Sequence, residues 1–282
     1  MSVNLLTFIN NLTEVEEFSL TDIYSGSNRI NNVGEALELF VKDVLCESLS
    51  IEAIDAKQQK HAEQLSYLGN QNNPPDFIIK NGDAFEVKKL INTPNSIALN
   101  SSYPKSKLRR DDSKISQACR EVDGGNWSEK DLVYVVGSVD ETKLKTLWLV
   151  YGDCYAADKE TYEAPLNQIS THLESLPNIE VADTNEISRL NKVDPLGLTY
   201  LRVRGMWGID APHKVFASLV SERAESDFSA HTLMLTEKYQ SFSPEDIQQL
   251  ETNPKITITP VEIPSPNNPA TYLSATLISF SV

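Results

Sequence analysis

Only three cysteines occur in the 282 residues, Cys46, Cys119 and Cys154, and no two of them form a CxxC pair. An odd and widely spaced set of thiols excludes a disulfide framework and suits a reducing compartment, so a cytoplasmic protein is expected. The four histidines, His61, His172, His213 and His231, show no HxxxH spacing and have no cysteine pair to join, which argues against zinc. Neither GxxxxGK[ST] nor GxSxG is present, so a P-loop and a serine-hydrolase elbow are both excluded. No apolar run is long enough to span a bilayer, and the first residues lack a basic stretch followed by an apolar one. Neither a membrane span nor a signal peptide is therefore expected. Positive charge is also scarce: 25 Lys and Arg against 40 Asp and Glu give a net charge of −15. A chain this acidic is repelled by nucleic acid unless it gathers its bases on one surface.

What is present is an ordinary globular composition, 40% hydrophobic and 23% charged, in a chain long enough for one large domain or two smaller ones. Its most informative stretch runs from Pro75-Asp76-Phe77 through Asn81-Gly82 to Phe85-Glu86-Val87-Lys88. Phe77-Ile78-Ile79 and Ala84-Phe85-Glu86-Val87 are β-formers around a turn signal, the pattern of a hairpin. Side chains alternate along a strand, so Glu86 and Lys88 share a face. A two-residue Asn81-Gly82 turn sets Asp76 opposite Val87, on the wrong face. A three-residue loop at Asn81-Gly82-Asp83, setting Asp76 opposite Lys88, corrects the parity and is the expectation. Two carboxylates and a lysine on one face suit Mg²⁺-assisted phosphodiester hydrolysis: the acids offer oxygen ligands, and the lysine orients or deprotonates the attacking water and stabilises negative charge. The alternative is a surface hairpin with solvated charges.

Upstream, residues 28–49 read as a helix, because Val33, Leu37, Phe40, Val41, Val44 and Leu45 recur at three- and four-residue steps. Glu38 falls at the margin of this stripe and Glu35 points away, so Glu38 is favoured as a further acid at the site. A plain amphipathic helix with flanking charge is the competing reading.

Pro75-Asp76, nine intervening residues and Glu86-Val87-Lys88 resemble the active-site motif of the PD-(D/E)xK nucleases. Tyr67-Leu68-Gly69-Asn70, Asn73-Pro74-Pro75-Asp76-Phe77, Phe85-Glu86-Val87-Lys88-Lys89, Ser101-Ser102-Tyr103-Pro104-Lys105, Leu132-Val133-Tyr134-Val135-Val136-Gly137 and Leu147-Trp148-Leu149-Val150-Tyr151-Gly152-Asp153-Cys154-Tyr155 narrow the resemblance to type II restriction endonucleases of the NgoPII type. The similarity covers roughly the first 160 residues. It implies Mg²⁺-dependent cleavage of double-stranded DNA at a short GC-rich palindrome, GGCC-like, by a homodimer. By motif, Asp76, Glu86 and Lys88 carry over as the catalytic set, with Asp76, Glu86 and Glu38 toward the metal. Such a helix often supplies a glutamate in this superfamily, and Glu38 and Glu35 compete for that role. A structure-specific repair or junction nuclease of the same superfamily and a non-catalytic DNA-binding module remain as alternatives.

Lys105, Lys107, Arg109 and Arg110 pack four bases into six positions, with Lys114 soon after. They are candidate phosphate contacts, or else a solvated loop beside Asp111-Asp112. Arg202 and Arg204 share a strand face by period two and are candidate guanine readers, since arginine pairs bidentately with guanine O6 and N7; pairing with local acids is the competing reading. Tyr103, Pro104, Ser116 and Gln117 are weaker candidates for the same cleft.

The expected fold is α/β, a PD-(D/E)xK restriction-endonuclease-like core with a mixed central sheet flanked by helices and a β-rich C-terminal elaboration. Residues 1–160 form the nuclease core, with the catalytic hairpin at 76–90, and 161–282 a β-rich extension contributing to DNA recognition within one compact unit. Helices are expected over 112–122 and 165–176 and from Ser243-Pro244, and strands over 132–137, 146–151, 198–204, 214–220, 232–238, 256–263 and 272–280.

Overall fold

The computed structural model describes residues 3–20, 33–70, 73–91, 94–176, 180–182, 187–220 and 226–282. Their strands are β1 (Leu65–Tyr67), β2 (Phe77–Ile79), β3 (Ala84–Ile91), β4 (Ser96–Asn100), β5 (Lys107–Arg109), β6 (Glu129–Asp140), β7 (Lys143–Tyr151), β8 (Glu180–Ala182), β9 (Ser188–Asn191), β10 (Tyr200–Val203), β11 (Trp207–Asp210), β12 (Ser229–Leu235), β13 (Ile256–Pro264) and β14 (Tyr272–Ser281). The main sheet has the order β1-β2-β3-β6-β7-β12-β14-β13, with β5 joined to the first residues of β6. The pairs β3–β6 and β7–β12 are parallel and the others antiparallel, so the sheet is mixed. Two smaller sheets, β10-β9-β8 and β11-β4, stand apart from it.

Burial explains the arrangement. Leu132 to Ser138 of β6 and Leu147 to Tyr151 of β7 are buried without a break, as unbroken apolar runs between two covered faces must be. Helix Val33–Leu45 lays Leu37, Phe40, Val41, Val44 and Leu45 into the core. It approaches β6 closely because Gly137 has no side chain: a Cβ there would stand 2.7 Å from a methyl of Leu37. Helix Leu5–Leu12, capped by the Asn4 side chain on the Thr7 N–H at 3.0 Å, packs beside it. The central mixed sheet is thus flanked by helices, as the sequence predicts. Among the described residues, no helix is long and apolar enough to cross a membrane.

The C-terminal segment adds β12, β14 and β13 to the main sheet itself, with β12 lying between β7 and β14. Several local expectations are corrected. The expected strand 214–220 is instead a helical turn, Pro212–Val215, followed by a 3₁₀ turn, Ala217–Leu219. Pro212, with its fixed φ, opens that turn at the first helical position. The strand expected over 232–238 begins at Ser229 and ends at Leu235, where helix Thr236–Gln240 starts. The helix expected over 112–122 is confined to Gln117–Glu121, because the cap is the Ser116 hydroxyl on the Cys119 N–H at 3.1 Å. Asp112 instead accepts from the Lys114 N–H in a preceding turn. The helix expected from Pro165 begins at Lys159, with Pro165 inside it. Residues 28–32 of the first expected helix lie outside the described residues.

Candidate active site

The hairpin turn has three residues, Lys80-Asn81-Gly82, one position earlier than the sequence predicts. The Ile79 N–H donates to the Asp83 carbonyl at 3.0 Å and the Gly82 N–H to the Ile79 carbonyl at 2.9 Å. Asn81 takes the left-handed conformation, φ 54°, inside the loop. The ladder is therefore Phe77 opposite Phe85 and Ile78 opposite Ala84, and the two phenyl rings stack at 4.7 Å on the buried face. Moving a three-residue loop by one position preserves the parity but slides the partner by two. Asp76 consequently lies level with Glu86 instead of Lys88, and both belong to the face opposite the phenylalanines.

Strand β2 begins only at Phe77, which leaves the Val87 N–H beyond its ladder with β3. The Asp76 side chain takes its place, accepting that N–H at 2.6 Å, while the Asp76 N–H donates to the Phe85 carbonyl at 2.9 Å. Lys88 Nζ donates to Glu86 Oε1 at 2.6 Å. Among the described residues, Glu86 Oε2 is buried and meets no hydrogen-bond donor. Burial, and then the neighbouring Glu86 charge, push the Asp76 carboxyl up to about 7. Burial alone would lower the Lys88 ammonium, but the charges of Glu86 and Asp76 outweigh it and hold the group above its ordinary range. In this cation-free arrangement Lys88 donates to anionic oxygen, here Glu86 Oε1. Gly69 packs against this corner at φ 81°, and a Cβ there would stand 2.2 Å from the Asp76 carbonyl oxygen.

Helix Val33–Leu45 brings Glu38, half-buried, toward the hairpin, where its charge raises both Asp76 and Lys88. Lys42, one turn on, holds Glu38 at 2.6 Å and donates to the Leu68 carbonyl at 3.1 Å. Glu35 is exposed on the same helix. Among the described residues, no three His, Cys, Asp or Glu side chains gather as a metal cluster. The donor set that suits a hard divalent cation is the Asp76–Glu86 pair with its unsatisfied carboxylate oxygen.

An open cleft of about 1490 Å³ runs along this face, lined by Asp76, Glu86 and Lys88 and by five of the sequence-predicted bases, Lys105, Lys107, Arg109, Lys114 and Arg204. Arg110 and Arg202 are absent from the lining: Arg110 donates to the Arg120 carbonyl at 3.1 Å, and Arg202 lies on β10, which ends before Arg204. Glu38 is likewise absent from the lining. Ser116 and Gln117 turn to other work, Ser116 meeting the Tyr67 hydroxyl at 3.0 Å and Gln117 donating to Glu121 at 2.7 Å.

The basic run is not a loop at its centre, since β5 pairs Lys107 with Asp131 and Arg109 with Glu129 across to β6. Leu108 between them is buried. Lys107 bonds to Asp131 and lies 3.1 Å from Asp153; although burial opposes it, these acids hold the ammonium well above its ordinary range. Sequence reasoning missed the acidic partners Asp131 and Asp153; Tyr103 and Pro104, candidates by sequence, do line the cleft, and Tyr103 forms a wall with Trp207, the rings meeting edge-on at 6.2 Å with Tyr162 stacked on Tyr103 at 5.5 Å. Trp207 stood three residues from Arg204 and was a visible signal; the acids, 24 and 46 residues from Lys107, were not.

The NgoPII restriction endonuclease family matches residues 3–264 of the chain. The type II restriction enzyme NgoPII of Neisseria gonorrhoeae is 40% identical over 279 residues, covering 99% of each chain. No solved structure matches.

Proposed function

The chain belongs to the NgoPII restriction endonuclease family, a site-specific deoxyribonuclease acting on double-stranded DNA, and on that premise we propose that Asp76, Glu86 and Lys88 form its PD-(D/E)xK catalytic centre, with Glu38 as a fourth acid. Family membership sets aside the non-catalytic binding module and the structure-directed repair nuclease. The observation that carries the site assignment is Glu86 Oε2, buried without a donor beside the Asp76 carboxylate at the end of an open cleft.

Asp76 and Glu86 would hold Mg²⁺, which when bound neutralises phosphate charge and lowers the pKa of water. The Val87 N–H fixes the Asp76 carboxylate, and Lys42 fixes Glu38. Lys88, kept protonated by its neighbours, donates to a non-bridging phosphate oxygen and orients the water for in-line attack. The water oxygen bonds to phosphorus as the P–O3′ bond breaks, and a proton passes to the 3′ oxygen, leaving a 3′-hydroxyl and a 5′-phosphate. Lys107, Arg109 and Lys114 are the proposed phosphate-contacting side, with Lys105, held by Asp112, and Arg110, turned to the Arg120 carbonyl, framing it, and Arg202 and Arg204 the proposed base-contacting side. The target is a short GC-rich palindrome, GGCC-like, and a two-fold homodimer places one site on each strand. Three buried, unpaired cysteines suit action in the cytoplasm.

The test is digestion of a sequenced plasmid with Mg²⁺ and mapping of the ends. Common termini at one GC-rich palindrome are the expected result, and Asp76→Ala, still folded, leaves the plasmid intact. Cleavage by that variant would overturn the assignment of the site.

A further inference from the structure

The cleft leading to Asp76 and Glu86 is not a basic groove. Among the described residues that line it, nine carry carboxylates and seven carry cations. Three cations of the run beside the site already face acids of the same chain. Lys105 Nζ lies 2.6 Å from Asp112, in a pair almost wholly shut from solvent. Lys107 bonds to Asp131 and lies 3.1 Å from Asp153. Arg109 lies 3.2 Å from Asp111 and 3.6 Å from Glu129, with side chains 44%, 64% and 52% exposed. Asp111 follows β5, Glu129 opens β6 and Asp153 sits on helix Gly152–Tyr155, so folding gathers them from separate parts of the chain.

We propose that Asp111, Glu129 and Asp153 compete with DNA phosphates for Arg109 and Lys107, and so set the protein's discrimination against non-specific DNA. The proposal rests on the nuclease reading above. A non-specific complex is held almost entirely by cations on phosphates and by the counterions they release. A cation that must exchange a carboxylate for a phosphate gains little, and the displaced carboxylate is left beside the duplex as a like charge. Non-specific binding has nothing else to offset that loss. A cognate complex adds base contacts and tolerates it. Arg109, the more exposed of the two, is the cation best placed for such exchange, and the buried Lys105–Asp112 pair is fixed architecture.

The double variant Asp111→Asn/Glu129→Gln and the single variant Asp153→Asn test this. The probe is a 24-bp alternating A·T duplex without a GC palindrome, titrated in EDTA over a salt series. Asp140→Asn, at the far end of β6 from Glu129, removes the same kind of charge away from the cleft. The expected result is several-fold tighter binding at low salt for the cleft variants, with the slope of log K against log salt steeper by about 0.9 for each cation released to a phosphate. Asp140→Asn should leave the slope where it is. Equal tightening by Asp140→Asn would reduce the effect to net charge and overturn the proposal, as would cleft variants that bind no more tightly. Thermal melts confirm that each variant is folded; the exposed Asp111 and Glu129 can change without disturbing the core. Plasmid cleavage by the unmodified protein with Mg²⁺ is the separate arm: its failure would sink the nuclease reading, whereas cleavage with unchanged slopes would sink this inference alone.

Discussion

Asp76 sits where two demands conflict. In the proposed centre it must stay near Glu86 to share a cation, yet burial and that same neighbour push its carboxyl up to about 7. Its folded value lies above its unfolded one, so the folded, cation-free protein takes up a proton between about pH 4 and 7. Stability contributed there is present at low pH and is lost as pH rises through 7. Asp76→Asn removes the repulsion and keeps an acceptor for the Val87 N–H. In EDTA at pH 8 it should melt about 2–4 °C higher than the parent, the effect of roughly 1 kcal/mol in a chain of this size, with the gain shrinking toward pH 4. Cleavage should fall by more than the roughly 10–100-fold typical of losing an outer-shell partner. Lower melting at pH 8 would remove the repulsion argument. Gly69→Ala makes a different test, because it touches no charged group. Its Cβ collides with the Asp76 carbonyl and strains a left-handed residue, so cleavage should drop at least about tenfold while the affinity of the cleft for duplex DNA holds. Unchanged cleavage would show that the corner yields. The common face of Asp76, Glu86 and Lys88 was legible in the sequence because a period of two and a turn signal are local facts, and the half-buried position of Glu38 because a stripe has a margin. The turn length followed from parity, but its position did not, since Asn81 lies within the loop instead of opening it.

At the scale of elements, the helix that carries Glu38 is held by a buried polar knot. Asp43 accepts from Lys57 at 2.7 Å and Ser48 at 2.6 Å and meets His61 at 2.9 Å, tying helix Val33–Leu45 to helix Ile54–Gln64. Burial alone would raise the Asp43 carboxyl; the hydrogen bonds from His61, Lys57 and Ser48 outweigh it and hold the group below its ordinary range. Asp43→Ala strands those partners and should cost about 3–5 kcal/mol in urea unfolding at pH 7. Because the folded value is lowered, this contribution is complete above the unfolded value near pH 4 and disappears as pH falls through the folded one. The gap between parent and variant should therefore close in acid; a gap unchanged at pH 3 would place the cost in packing. This knot joins two helices through partners 5, 14 and 18 residues from Asp43, and no periodic pattern announced it. Pro212 shows the opposite failure. Val215, Phe216 and Val220 are β-formers by type, but a proline at the first helical position outweighed them. Helix Gln117–Glu121 failed by its cap: Asp112 was an available start signal, and Ser116 is the one used.

The whole molecule carries −15, and its acids enter the cleft as well as covering the outside. A total read from the sequence could not distinguish the two. The proposed homodimer predicts that half-active particles nick. Co-expressing the parent with tagged Asp76→Ala and isolating mixed dimers should convert supercoiled plasmid to open circles, with linear product reduced about tenfold or more. Linear product at the parental rate would mean that one centre cuts both strands. The strand order has a further consequence for how such proteins diversify. With β12 seated between β7 and β14, the segment that follows the strands of the proposed site is a structural part of their sheet. A chimera that swaps residues 161–282 with those of a distant homologue must remake the β7–β12 and β4–β11 ladders at once. New target preferences in this architecture would then be acquired by single substitutions along the cleft, and not by exchange of cassettes.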